Sequence, residues 1–207
     1  MARLPEREKV AADLQEMAEF RPAMLDAWNR WRALDAKARV DLTGSARAII
    51  MHDFIIAEVA KRLGDTATLH DKAFLKVFAI RGYSIRFKKH DVELVSRNQE
   101  TKQVRAFMGQ MPLDGIPTMY NLEVGYVLDG LGTQVVSTNL VCPNGYGNQP
   151  YWHIELHDEG YEFGEERDLF PLEPGPEPEQ EERGARWKRR ESGVIIPFER
   201  ISKRRDD

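Results

Sequence analysis

Apolar residues recur at helical spacing through residues 5 to 63, and three helices are predicted there. The first two carry the stripes Val10, Leu14 and Met17, and Leu25, Trp28, Trp31 and Leu34. The third, ARAIIMHDFIIAEVAKRLGD, is apolar around most of its circumference, which is typical of a buried helix. Within it His52 and Asp53 are expected to point into or along the core and to make a satisfied internal hydrogen bond, and a titrating functional pair is the alternative.

The period of the pattern then changes to that of strands. Two β-rich runs flank Arg81-Gly82 and predict a hairpin. The stretch SRNQETKQVRAFMGQ predicts a helix with Asn98 as a candidate cap, and an extension of the sheet is the alternative. Three more strands follow residue 117, in MYNLEVGYVLD, TQVVSTNLVC and YWHIELHD. Alternation along these strands predicts a buried face made of Phe87, Leu122, Val124, Tyr126, Trp152, Ile154 and Leu156.

This order of elements predicts an α+β protein, in which N-terminal helices pack on an antiparallel sheet of about five strands ahead of a charged C-terminal tail. The predicted parts are an N-terminal helical segment (1–43), an α+β core domain (44–158), an acidic proline-rich linker (159–183) and a basic tail (184–207).

The predicted linker holds ten acidic and two basic residues, while the tail reverses this balance with eight basic and four acidic residues. An apolar island, GVIIPFERI, interrupts the basic tail. Trp187, Val194, Ile195, Ile196 and Phe198 are therefore predicted to bind a partner. Packing of the same island on the protein's own sheet is the alternative.

Composition narrows the class of protein. The 207 residues are 42% hydrophobic, which is enough for a sizeable core, and no apolar run approaches the length of a membrane span. The N-terminus is charged, and Cys142 is the single cysteine, so a cytoplasmic protein without an intramolecular disulfide is expected. The net charge of −4 is not typical of a protein that binds polyphosphates over its whole surface.

The hairpin sequence YSIRFKKHD concentrates positive charge. Arg86, Lys88 and Lys89 are candidate contacts to nucleic-acid phosphate, because basic residues on a ribbon are suited to that role. Four arginines of the helical part, at positions 30, 32, 39 and 47, are candidates to extend this patch. Protection of an exposed strand edge by lysine is the alternative explanation.

Two metal-dependent alternatives are present in the sequence. His153, Glu155 and His157 alternate along one strand and share its outer face, about 7 Å apart, so a divalent metal would need further ligands from another strand. Asp91, Glu100 and Lys102 are similar to the metal-binding set of PD-(D/E)xK nucleases, but that geometry fails if residues 99 to 110 form a helix.

A resemblance to a known family rests on four short strings and the tryptophan-bearing strand that follows them. The strings are IRFKK, ETKQVRAFMGQ, GYVLDGLG and LVCPNG. The stretch from about residue 44 to 157 resembles a family of uncharacterised bacterial proteins from mobile elements and toxin–antitoxin-like neighbourhoods. The resemblance implies a genomic context of regulation or phage defence, and it assigns no catalytic residues.

The leading hypothesis is a non-enzymatic regulatory or antitoxin-like protein, without a cofactor, that binds a protein partner and contacts nucleic acid through the basic hairpin. The rival hypothesis is a metal-dependent nuclease or hydrolase. The sequence leaves the oligomeric state and the identity of the partner open.

Overall fold

The computed structural model describes residues 4–72, 75–96, 100–116 and 120–164, which belong to one compact unit. Its α-helices are α1 (Arg7–Asp13), α2 (Phe20–Ala33), α3 (Ala36–Asp41), α4 (Gly44–Leu63) and α5 (Lys102–Met108). Its strands are β1 (Thr68–Lys72), β2 (Leu75–Ile80), β3 (Tyr83–Lys89), β4 (Tyr120–Leu128), β5 (Val135–Cys142), β6 (Trp152–Leu156) and β7 (Tyr161–Phe163). The predicted α+β class is confirmed.

All seven strands form one sheet in sequential order from β1 to β7. Neighbouring strands are antiparallel except for β3 and β4, which run parallel. The prediction of a wholly antiparallel sheet of about five strands is therefore wrong in both respects. The parallel pair follows from the connection, because the chain passes through α5 between β3 and β4, and parallel strands need such a crossover.

The two strands missed in the sequence lie at the edges of the sheet. Strand β1 reads TLHDK, and β7 is three residues long with all three exposed. Neither run has an apolar face long enough to produce a clear alternation. Strand β7 also lies inside the range 159–183 that was predicted to be a linker.

The N-terminal helices cover one face of the sheet. Phe20 of α2 packs edge-on against Phe87 of β3, with ring centroids 5.4 Å apart, and Phe87 packs in the same way against Phe78. All residues of the predicted buried face belong to this core, so the predicted orientation of the last long strand, β6, is confirmed. Because α1 and α2 share that core, these two helices are part of the same fold as the sheet.

A second, smaller core lies on the opposite face. Helix α5 packs Val104, Phe107 and Met108 against Leu75 and Val77 of β2. Of the two alternatives predicted for residues 96 to 110, the helix is therefore the one observed, and the extension of the sheet is wrong. Its cap is Thr101, whose hydroxyl accepts a hydrogen bond from the Val104 amide at 3.2 Å, whereas Asn98 lies outside the described residues.

The direction of the strands decides which loops meet. The hairpin between β2 and β3 turns at Arg81 and Gly82, where both φ angles are positive, as the prediction of a tight hairpin requires. Since β3 and β4 run parallel, the loops after Lys89 and after Leu128 leave the sheet at the same end. The candidate site lies at this end.

Candidate functional site

An open cleft of about 900 Å³ lies at the end of the sheet where β3 and β4 terminate. The first turn of α4, the loop after β3 and the turn between β4 and β5 form its walls. Val92 and Leu131 line this cleft, although their side chains are 85% and 87% exposed. Exposed apolar side chains that share one concave site are candidates for an interaction surface.

The turn that carries Leu131 is held by one carboxylate. Asp129 accepts hydrogen bonds from the Thr133 hydroxyl at 2.7 Å, the Thr133 amide at 2.5 Å and the Gln134 amide at 3.1 Å. These bonds, chiefly that of the Thr133 hydroxyl, lower the pKa of Asp129. The Asp129 side chain thus fixes the turn and leaves Leu131 to project from it.

The loop that carries Val92 is fixed in a similar way. The Asp91 carboxylate accepts from the amides of Glu93 and Val95, each at 3.0 Å, and His90 and Ser96 form a β-bridge across the base of the loop. Both flanking residues are buried, at 1% and 5% exposure. Val92 therefore projects from a closed loop with anchored ends.

His90 and Ser96, at the base of the Val92 loop, belong to a buried polar cluster that also contains Arg86 and Glu123. Glu123 pairs with the Arg86 Nε through one oxygen and lies 2.8 Å from His90 Nε2 through the other. Arg86 also donates to the Ser96 hydroxyl at 3.2 Å and lies over the Phe107 ring, 4.6 Å from its centroid. The cluster ties β3, β4, α5 and the base of the Val92 loop together.

Opposing effects act on the Glu123 carboxyl. Burial by itself raises the pKa of Glu123, but the Arg86 charge and the hydrogen bonds from His90 and Ser96 outweigh burial and hold it at about 2. The His90 ring lies directly over Gly125, since a Cβ at that position would come within 2.1 Å of the ring. Gly125 thus provides the space in which His90 reaches Glu123.

The nucleic-acid hypothesis named Arg86, Lys88 and Lys89, and the structure separates these three residues. Arg86 is 1% exposed and paired with Glu123, so in this conformation its guanidinium does not reach a phosphate at the surface. Lys88 is half-buried, and burial, followed by the Arg86 charge, lowers its pKa. Lys89 is exposed and lines the cleft. Strand β3 is interior to the sheet, so edge protection is the wrong explanation for these lysines.

The four helical arginines that were expected to extend the basic patch lie in different environments. Arg30 is paired with Glu58 at 2.8 Å and lies over the Phe54 ring. Arg47, in the first turn of α4, lines the cleft, and its guanidinium lies beside Gly132, 3.5 Å from the point a Cβ would occupy there. Arg32 and Arg39 line a neighbouring cleft that Arg47 also borders.

The three side chains proposed as metal ligands, His153, Glu155 and His157, are not arranged around one common point. His153 and Glu155 lie on one face of β6, as predicted, and both are half-buried. The His153 ring lies against Gly164, while His157 follows the strand and is 4.0 Å from the Glu162 carboxylate. Among the described residues, no group of three or more His, Cys, Asp or Glu side chains is arranged to hold a metal ion.

The residues similar to a nuclease site lie in the wrong kinds of element. Asp91 holds a loop, Glu100 pairs with Arg105 at 2.7 Å, and Lys102 begins α5. The nuclease geometry requires these groups on adjacent strands, and a helix at 102–108 prevents that arrangement.

Two further candidates are explained by packing. His52 is half-buried, and burial, followed by the charges of Lys88 and Lys76, lowers its pKa to about 4. Asp53 is exposed and pairs with Lys76 at 3.2 Å, so the expectation that it lies in the core with His52 is wrong. Cys142 is buried, and burial raises the pKa of its thiol, so it is a core residue.

The tail residues Trp187, Val194, Ile195, Ile196 and Phe198 lie outside the described residues, and their partner-binding role stays a prediction.

Sequence reasoning missed Val92, Leu131 and Glu123. The signals were present but weak: DVEL and DGLG each place one apolar residue beside turn-forming residues, and LEVG places an acid and a glycine inside an otherwise apolar strand. A buried acid in such a strand requires a buried cation, and Arg86 of β3 was available in the sequence.

No protein-family model, no curated protein and no solved structure matches the chain. Within the described residues, no helix combines the length and the apolar character that crossing a membrane requires.

Proposed function

We propose that this protein is a non-enzymatic regulatory protein, antitoxin-like in its mode of action, that binds a protein partner through the cleft between α4, the Val92 loop and the β4–β5 turn. The observation that carries the proposal is the exposure of Val92 and Leu131, 85% and 87%, in one cleft. Exposed apolar groups gathered in this way mark interaction surfaces.

The charges around the cleft favour a protein over a nucleic acid. Arg47 and Lys89 line it together with Asp91 and Asp129, so both signs are present. A polar rim of mixed charge around apolar residues is the common anatomy of protein interfaces, whereas a nucleic-acid groove is dominated by positive charge. The expected partner presents an apolar side chain to Val92 and Leu131, with charged groups of both signs beside it.

The anchored loops support a rigid mode of binding. The Arg86–Glu123–His90 cluster and Asp129 hold the two loops from within, so little conformational entropy would be lost when a partner docks. Contact with nucleic acid remains a secondary proposal, which now depends on Lys88 and Lys89 without Arg86.

The test uses tagged full-length protein in its native host. Wild-type protein is expected to retain one partner in stoichiometric amount through gel filtration, and the variant Val92→Asp/Leu131→Asp is expected to lose it, because two carboxylates would be buried in the interface. Met111→Asp is the matched control, since Met111 is 58% exposed and its backbone bonds to Asn121 near the start of β4, far from the cleft. Equal retention by both variants would overturn the proposal.

Metal analysis of the purified protein separates this proposal from the rival one. A metal-dependent nuclease or hydrolase is expected to carry stoichiometric zinc, manganese or nickel when it is purified without chelator. Tightly bound metal at one equivalent per chain would contradict the non-enzymatic assignment.

A further inference from the structure

A second, smaller cleft of about 460 Å³ lies where α2, α3 and the first turn of α4 meet the β4–β5 turn. Three arginines, Arg32, Arg39 and Arg47, line it together with Trp28 and Trp31. Its only border with the partner cleft is at Arg47 and Gly132, so the inference below does not depend on the proposed partner.

The charge in this second cleft is of one sign. Within the part of the chain that the structure describes, none of its three arginines has a carboxylate partner, and no acidic residue lines the cleft. Other arginines of the helical layer are neutralised: Arg21 pairs with Asp158, Arg30 with Glu58, and Arg62 with Glu19 and Asp26. Three unpaired guanidinium groups around one concave site generate a positive potential that attracts anions.

Two buried donors in the cleft side chains also have no acceptor among the described residues. They are Nε of Arg39 and Nε1 of Trp28. An N–H that is buried without an acceptor costs free energy, so native structures rarely retain one without a reason. Both atoms are inaccessible to solvent, so a ligand reaches them only if the Arg39 and Trp28 side chains shift on binding.

We propose that this cleft binds the phosphate group of a small phosphorylated molecule. A phosphate dianion presents more oxygens and more charge than a carboxylate, and the planar guanidinium binds it through two parallel hydrogen bonds. The cleft volume lies within the range of small-molecule sites, and Ala36 and Val40 supply an apolar wall for the organic part of the ligand. A nucleic-acid backbone is disfavoured, because its path past Arg47 would meet Asp91 and Asp129.

The experiment titrates full-length protein with inorganic phosphate at constant ionic strength and follows binding by calorimetry and tryptophan fluorescence. Saturable binding of phosphate is expected, with no comparable binding of acetate or chloride. Arg39→Gln and Arg47→Gln are each expected to weaken phosphate binding by about tenfold or more, as the loss of a charged hydrogen bond does. Arg105→Gln is the control, because it removes the same charge from the exposed surface of α5.

Three results would overturn the proposal. They are equal binding of acetate or chloride, unchanged phosphate binding in both variants, and binding of a ten-nucleotide single strand in the absence of any phosphate binding. Arg47→Lys guards against a folding artefact, since it keeps the charge but loses the planar fork, and an intermediate affinity is expected. The acetate comparison uses only wild-type protein, so it decides the question even if a variant fails to fold.

Discussion

At the scale of single residues, a few buried polar groups fix the positions of exposed ones. Glu123 is 1% exposed and remains charged because Arg86 and His90 surround it, and the same contacts hold the base of the Val92 loop. Gly125 is the residue that makes this packing possible, since any side chain there would occupy the space of the His90 ring. A polar cluster inside the sheet thus determines where an apolar residue stands outside it.

Gly125→Ala is expected to destabilise the protein by about 1–3 kcal/mol, because the new methyl group overlaps a buried ring that has little room to move. Chemical denaturation measures this change. Gly130→Ala is the matched control, since the space around Gly130 is open and its φ is not positive, and a change within about 0.5 kcal/mol is expected there. Equal effects at the two glycines would contradict the packing of His90 on Gly125.

The pH dependence of stability tests the environment of His52. Its pKa is about 4 in the folded protein against 6.5 for the free group, so the unfolded chain binds an extra proton between these values. The free energy of unfolding should therefore fall as the pH is lowered from 6.5 to 4, by on the order of 2 kcal/mol.

His52→Gln removes this titration. In urea denaturation, the free energy of unfolding of this variant should therefore fall less than that of the wild type between pH 6.5 and 4. His157→Gln, which removes an exposed imidazole, should keep the wild-type slope. A His52→Gln profile that parallels the wild type would show that the histidine is not desolvated.

At the scale of elements, the sequence predicted those with long apolar patterns. Helix α4, the β2–β3 hairpin and the buried face of β6 were predicted correctly, because each has several apolar residues at a fixed spacing. Strands β1 and β7 were missed because an edge strand needs little apolar surface. The parallel pairing of β3 with β4 was missed because the period of a strand carries no information about its direction.

Trp152→Ala tests how β6 packs on the N-terminal helices. The side chain is 4% exposed, and its Nε1 donates to the Pro5 carbonyl at 2.9 Å, which ties the N-terminus to the sheet. Its loss is expected to cost about 3–5 kcal/mol in denaturation experiments, as for other large core aromatic residues. A cost below about 1 kcal/mol would contradict this packing.

At the scale of the whole molecule, the site depends on contacts between distant segments, and this limited its prediction. Val92 and Leu131 meet because β3 and β4 end together, and α4 adds Arg47 to the same cleft. The basic hairpin was visible in the sequence, but the burial of Arg86 was not, since it requires Glu123 on the neighbouring strand. Local pattern supplied the elements, and their pairing determined which side chains reach the surface.

Hydrogen–deuterium exchange on the tagged protein, alone and in the complex isolated with its partner, tests the central claim most directly. The partner is expected to slow amide exchange in the three segments that form the cleft. These are residues 91–95, residues 129–132 and the first turn of α4. Unchanged exchange in these segments, together with protection of the exposed edge strand β1, would contradict this claim and would move the partner to the edge of the sheet.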